Sequence, residues 1–169
     1  MKNQLELTDR LRNIADSVQG EGLELAIKLK DIVYQLLEFR PYDEKTKDHE
    51  HNIRWKRTAD QILKDGYVYD GKACTDVVVA YLGLARAKGF DTRFVKVFRS
   101  DVIHSIAEIF VDNEWYIYDV ASRNSQPQKG EYQKGIPING WTLWKKGRDA
   151  WDLELEEYKD VNKIRFTTK

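Results

Sequence analysis

The stretch CTDVVVAYLGLARAKGF, from Cys74 to Phe90, constrains this chain more than any other. Cys74, Val77, Val78, Tyr81, Leu82 and Ala85 recur at the spacing of one helix face, and Gly89 supplies a stop. Val79, Ala80 and Leu84 extend the apolar character beyond that face, so the helix has to be covered on most sides. The period then changes. TRFVKVF, VIHSIAEIFV and EWYIYDV are rich in β-branched and aromatic residues and read as strands. Helices first and strands afterwards argue for an α+β fold, with a central helix packed on an antiparallel sheet.

The flanking segments fit one domain over 1–169, a length that supports a single core. Leu7, Leu11, Ile14 and Val18 predict a first helix that stops at Gly20 and Gly22. Leu25, Leu29, Ile32, Val33 and Leu36 predict a second, which ends before Pro41. PYDEKTKDHEHN reads as a charged connector closing a helical N-terminal part over 1–50. Trp55, Ala59, Ile62 and Leu63 predict a third helix, stopped by Asp65-Gly66. Residues 55–120 form the core. Residues 122–169 hold a long loop with Pro127, Gly130, Gly135, Pro137 and Gly140, then closing elements that include a final strand at NKIRF. Trp141, Trp144 and Trp151 read as packing residues.

Lys and Arg number 28 and so do Asp and Glu, which removes the usual electrostatic argument for nucleic acid or an anionic membrane as a partner. MKNQLELTDRLRN has no apolar core of signal-peptide length, and no segment approaches a membrane span. With a single cysteine, these features lead to the expectation of a cytoplasmic protein.

That cysteine is well placed for chemistry. A thiol at the first turn of a helix faces unpaired backbone N–H groups, which favour the thiolate and can also hold an oxyanion. A nucleophile further needs a base and a group that orients the base. His49 and His51 lie in the charged connector, whereas His104 interrupts an apolar strand. If Asp112-Asn113 form a two-residue turn, Val111 pairs with Glu114, and Asp119 then faces Ile106 while His104 faces Ala121. His104 and Asp119 fall on one sheet face, diagonal to one another. Ile106, Phe110, Trp115 and Ile117 share that face, which is therefore expected to receive the central helix. Glu108 shares it too and reads as a rim residue.

CTD at the head of an apolar helix, followed by HSIAEIFVDNEWYIYD, resembles the transglutaminase-like superfamily over roughly residues 55 to 120. The resemblance implies a papain-like core with acyl-transfer or amide-hydrolysis chemistry. It implies Cys74 as nucleophile, His104 as general base and acid, and Asp119 as orienting carboxylate. Ala73 stands where many members have glycine before the cysteine. Members often use an aromatic or amide side chain to assist the oxyanion hole, and Trp55, Tyr67 and Tyr69 are available upstream. No acidic calcium loop of the animal transglutaminase kind is visible, which favours hydrolysis of a peptide or protein amide over amine transfer. No cofactor or metal is implied. The rival readings are a catalytically silent binding domain on the same fold and a metal-binding regulator built on His49 and His51.

Overall fold

The structure is a computed structural model, and it describes residues 2–168. The first helix, α1 (Asp9–Asp16), starts at Thr8, whose side chain accepts from the Leu11 amide. After α2 (Gly22–Leu36), a short strand β1 (Glu38–Arg40) pairs in parallel with β2 (Tyr67–Tyr69). Between them α4 (Ala59–Asp65) opens on a capping box of Thr58 and Gln61 and closes on Gly66 at φ 74°, a left-handed cap that suits glycine.

The charged segment expected as a connector contains a helix, α3 (Lys47–Ile53). Tertiary partners supply what its local pattern lacks. Glu50 is buried and accepts from Arg54 Nε at 2.7 Å, and the His51 ring stacks on Tyr158.

Helix α5 (Cys74–Ala87) is the centre of the molecule, packed against α1, α2 and α4 and against the strands β3 (Asp91–Arg99) and β4 (Val102–Val111). Its residues Val77 to Ala85 are all buried, as its apolar girth requires. The sheet is completed by β5 (Glu114–Tyr118), β6 (Gln128–Lys129) and β7 (Thr142–Gly147) in the order β6-β5-β4-β3-β7, every pairing antiparallel. Val111 pairs with Glu114, and Asp112 and Asn113 form the two-residue turn with φ of 52° and 66°. Both residues tolerate that region, so the hairpin register is the one expected.

The helix covers the opposite face from the one expected. Phe94, Ala107, Ile109, Val111, Tyr116 and Tyr118 join α5 in the main core. Ile106 and Ile117 lie in a second cluster with Val95, Val97, Tyr132 and Leu143, against which Ile138 and Trp141 pack. The reason is physical: both faces of β4 are apolar, so alternation alone does not say which one meets the helix. The segment expected as a plain loop supplies the second cover through Tyr132 and Ile138, joined by Trp141, which packs there as expected. NKIRF also differs from expectation, lying in a terminal helix, α6 (Val161–Thr168), rather than a strand. Just ahead of it, Asp160 accepts from the amides of Glu156 and Glu157 in a 3₁₀ turn that feeds the helix.

Candidate active site

Cys74 is the first residue of α5, and no side chain caps that first turn. The backbone N–H groups and the positive end of the helix are thus left to act on the thiol. An acid in the same turn would oppose them. Asp76 is held off by Arg57, whose Nη2 donates to Asp76 Oδ2 at 2.9 Å.

Cys74 is partly exposed into a cavity of about 270 Å³ lined by Trp55, Lys72, Thr75, Lys96 and Val102, among others. Burial alone would push its thiol up, but the charge of Lys96, hydrogen bonding and charge from His104, and a hydrogen bond with Ser105 bring it down to about 6. The thiol and the Ser105 hydroxyl are 3.9 Å apart.

His104 stands near the start of β4, and Asp119 follows the end of β5, so both lie at the same end of the sheet. His104 Nε2 and Asp119 Oδ1 are 2.7 Å apart, which leaves the other ring nitrogen for the thiol. Ser122 Oγ donates to Asp119 Oδ2 at 3.1 Å, so each carboxylate oxygen has a partner. Ser125 Oγ donates to the Asp119 carbonyl, and Lys30 Nζ donates to the carbonyls of Arg123 and Ser125, which ties down the turn that carries the aspartate. Burial disfavours the imidazolium, yet its hydrogen bonds to Asp119 and Cys74 and their negative charges raise His104 to about 9. Cys74, His104 and Asp119 therefore meet where the head of α5 reaches the end of the sheet, and not across its helix-covered face.

The other expected residues separate. Trp55, at φ 62°, lines the Cys74 cavity, and its carbonyl accepts from Trp151 Nε1 at 2.6 Å. Tyr67 and Tyr69 instead surround His49, with the Tyr67 hydroxyl 2.9 Å from His49 Nε2. The Tyr42 hydroxyl lies 3.0 Å from His51 Nε2. Both connector histidines are thus engaged by tyrosines, and no three His, Cys, Asp or Glu side chains cluster as a ligand set among the described residues. Glu108 is not at a rim. Its side chain is 0% exposed and holds Lys146 and the Tyr132 amide, remote from the thiol.

Two contributors escaped the sequence reading. Trp141 stacks on the His104 ring at 5.1 Å between centroids, and the Arg99 guanidinium lies 4.4 Å from the centre of the Trp141 ring. Lys96, one residue of an unremarkable strand pattern, lies beside the thiol. Nothing local marks either, because Lys96 meets the thiol only through Ser105 of β4 and Thr75 of α5, and Trp141 meets His104 only when the segment ahead of β7 folds onto the sheet.

Residues 12–120 match the profile of the transglutaminase-like superfamily. No curated protein matches the chain. A solved structure from Cytophaga hutchinsonii, described as a "putative cysteine protease", superposes with a TM-score of 0.60 at 16% identity, covering 90% of this chain and 48% of that one. This chain therefore spans about half the length of that protein. Legionella pneumophila LapG is similar at a TM-score of 0.47 and 15% identity over 100% of this chain and 92% of that one. A TGase is similar at 0.49 and 13%, over 78% and 35% respectively. The fold is of the cysteine-protease-like kind.

Proposed function

As the chain belongs to the transglutaminase-like superfamily, we propose that it is a cysteine-dependent acyl-transfer enzyme acting on an amide bond, with Cys74, His104 and Asp119 as its triad. The observation that carries this reading is the 2.7 Å His104–Asp119 pair beside a thiol at an uncapped helix head. The Cys74 thiolate attacks the amide carbonyl, and the oxyanion forms against the N–H groups of the α5 first turn. His104 protonates the departing amine as the thioester forms. Neutral His104 then takes a proton from water, which attacks the thioester, and Cys74 leaves again as thiolate. Asp119 orients the ring throughout and stabilises its positive charge whenever the ring is protonated, while Trp141, stacked on the ring, fixes its plane. The acyl donor is a peptide or protein amide, and Trp55 lines the cavity it would enter. A primary amine in place of water would make the same thioester a transferase intermediate.

The test is a peptide-amide library incubated with and without a tagged primary amine. Mass spectrometry should find an acyl adduct on Cys74 and release of amine, both absent in Cys74→Ala. In His104→Ala turnover should fall by roughly 10²–10⁴-fold. Tag incorporation would mark transfer; its absence alongside turnover would mark hydrolysis. If no peptide is turned over and the wild-type thiol reacts with iodoacetamide no faster than a small free thiol, the enzyme reading fails.

A further inference from the structure

The reaction just outlined leaves one buried charged group at the site without a role. Lys96 rises from β3 into the α5-facing core and is 1% exposed. Its ammonium donates to Ser105 Oγ at 2.9 Å and Thr75 Oγ1 at 3.2 Å, and it lies 4.8 Å from the centre of the Trp55 ring. An ammonium has three N–H groups, and these three neighbours accommodate them. None of the three is charged.

A buried cation needs a counter-charge. Burial pulls the Lys96 ammonium below the usual lysine range and nearby Arg54 adds to that; among the described residues, the negative charge that opposes them is the thiolate of Cys74. Arg54 is engaged by Glu50 and Asp76 by Arg57. His104 faces the thiol from β4, and Lys72 and Asp101 line the cavity.

The hydroxyls between the two groups have a consistent direction. Lys96 donates to both, so each has its own proton free to pass on. Thr75 Oγ1 and Ser105 Oγ are 2.8 Å apart, and Ser105 Oγ is 3.9 Å from Cys74 Sγ. With Thr75 donating to Ser105 and Ser105 donating to sulfur, the chain ends on the one group that can be negative. The site is then neutral as a whole: Cys74 and Asp119 negative, Lys96 and His104 positive.

We propose that Lys96 is a positioning residue for the nucleophile, its ammonium acting through the Ser105 hydroxyl as a second counter-ion that keeps Cys74 a thiolate even when His104 has given up its proton. This rests on Cys74 being the nucleophile proposed above. The arrangement matters when the thioester breaks, because the sulfur leaves as an anion beside a standing positive charge.

The test needs no substrate. Thiolate formation is followed against pH by ultraviolet absorbance and by iodoacetamide rate in wild type, Lys96→Met, Lys96→Arg, His104→Ala and the Lys96→Met/His104→Ala double variant. Lys96→Met should raise the thiol midpoint by about one pH unit or more, a tenfold shift, and Lys96→Arg should restore most of it. His104→Ala should keep a midpoint below the ordinary thiol value of about 8.5, and the double variant should reach or pass it. An unchanged midpoint in Lys96→Met, with His104→Ala alone raising it, overturns the role of Lys96 and leaves the nucleophile standing. An ordinary midpoint in wild type overturns the nucleophile itself, a different result. Should Lys96→Met fail to fold, the Lys96 ammonium is titrated by NMR in wild type and Cys74→Ser. Loss of the thiolate should let Lys96 deprotonate at lower pH, and an unchanged titration overturns the proposal.

Discussion

At the scale of single residues, the opposite shifts of Cys74 and His104 have separate consequences for activity and stability. His104 binds its proton more tightly in the folded protein, so its stabilisation is full below 6.5 and is lost as pH rises through about 9. Cys74 is the mirror image: its stabilisation is full above 9.0 and is lost as pH falls through about 6. Between those limits the folded pair carries its proton on nitrogen and the unfolded pair carries it on sulfur. The proton counts match, so the pair adds almost no slope to stability across neutral pH. Under the proposed function activity should respond, since the acyl transfer proposed above needs thiolate and imidazolium together. The expected kcat/KM profile is a bell with limbs near 6 and 9. Urea unfolding should show little slope from this pair in wild type. In Cys74→Ser the balance is broken, and the His104–Asp119 pair should make stability fall as pH rises above the imidazole range.

At the scale of elements, α5 decides most. It has to present a thiol at one end and pass close to its neighbours along its length. Gly83 is where that approach is tightest: a Cβ built there would meet Ala59 Cβ at 2.5 Å and Leu11 Cδ1 at 3.4 Å. A helix interior normally favours alanine over glycine by about 1 kcal/mol. Here the overlap is with a short, rigid side chain, and overpacking costs about 1–3 kcal/mol. Gly83→Ala should therefore destabilise despite its better propensity, measured as a lower urea midpoint with an unchanged m-value. The β4–β5 hairpin shows the reverse situation, where local chemistry suffices. Two residues that accept positive φ set the turn, the turn sets the register, and the register places His104 diagonal to Asp119.

At the scale of the whole molecule, the sheet is buried on both faces by different parts of the chain. The helices cover one. The segment from Tyr132 to Trp141 covers the other and brings Trp141 to His104. That segment is anchored by Glu108, which accepts from the Tyr132 amide at 2.6 Å and from Lys146 Nζ at 3.0 Å. Lys146 in turn donates to the Tyr132 carbonyl at 2.7 Å, and Arg93 spans Glu108 and Glu131. Glu108→Gln keeps the size and removes the charge from this buried network, at a cost of roughly 2–4 kcal/mol. Limited proteolysis should then cut within residues 130–141 under conditions where the wild type resists, ahead of global unfolding. Equal resistance of the two proteins would show that the cover is held by its apolar side chains alone. No helix among the described residues is long and apolar enough to cross a membrane.

How much of this could be read from the sequence follows from the range of the forces involved. The α5 helix, the β3–β5 strands, the hairpin turn and the His104–Asp119 diagonal are products of local spacing, which a sequence carries directly. The helix in PYDEKTKDHEHN was hidden because its buried Glu50 and stacked His51 depend on residues distant in sequence, and α6 was mistaken for a strand. The choice of sheet face for α5 was equally out of reach, since a strand apolar on both sides obeys the same alternation whichever face the helix takes. So were Lys96 and Trp141: Lys96 gains its place when β3 pairs with β4 and packs on α5, and Trp141 when the segment ahead of β7 folds over the other sheet face. Local geometry, carried by the sequence, thus set the positions of the cysteine, histidine and aspartate. The charge beside the sulfur and the ring against the imidazole are long-range pairings, and only the folded chain decides them.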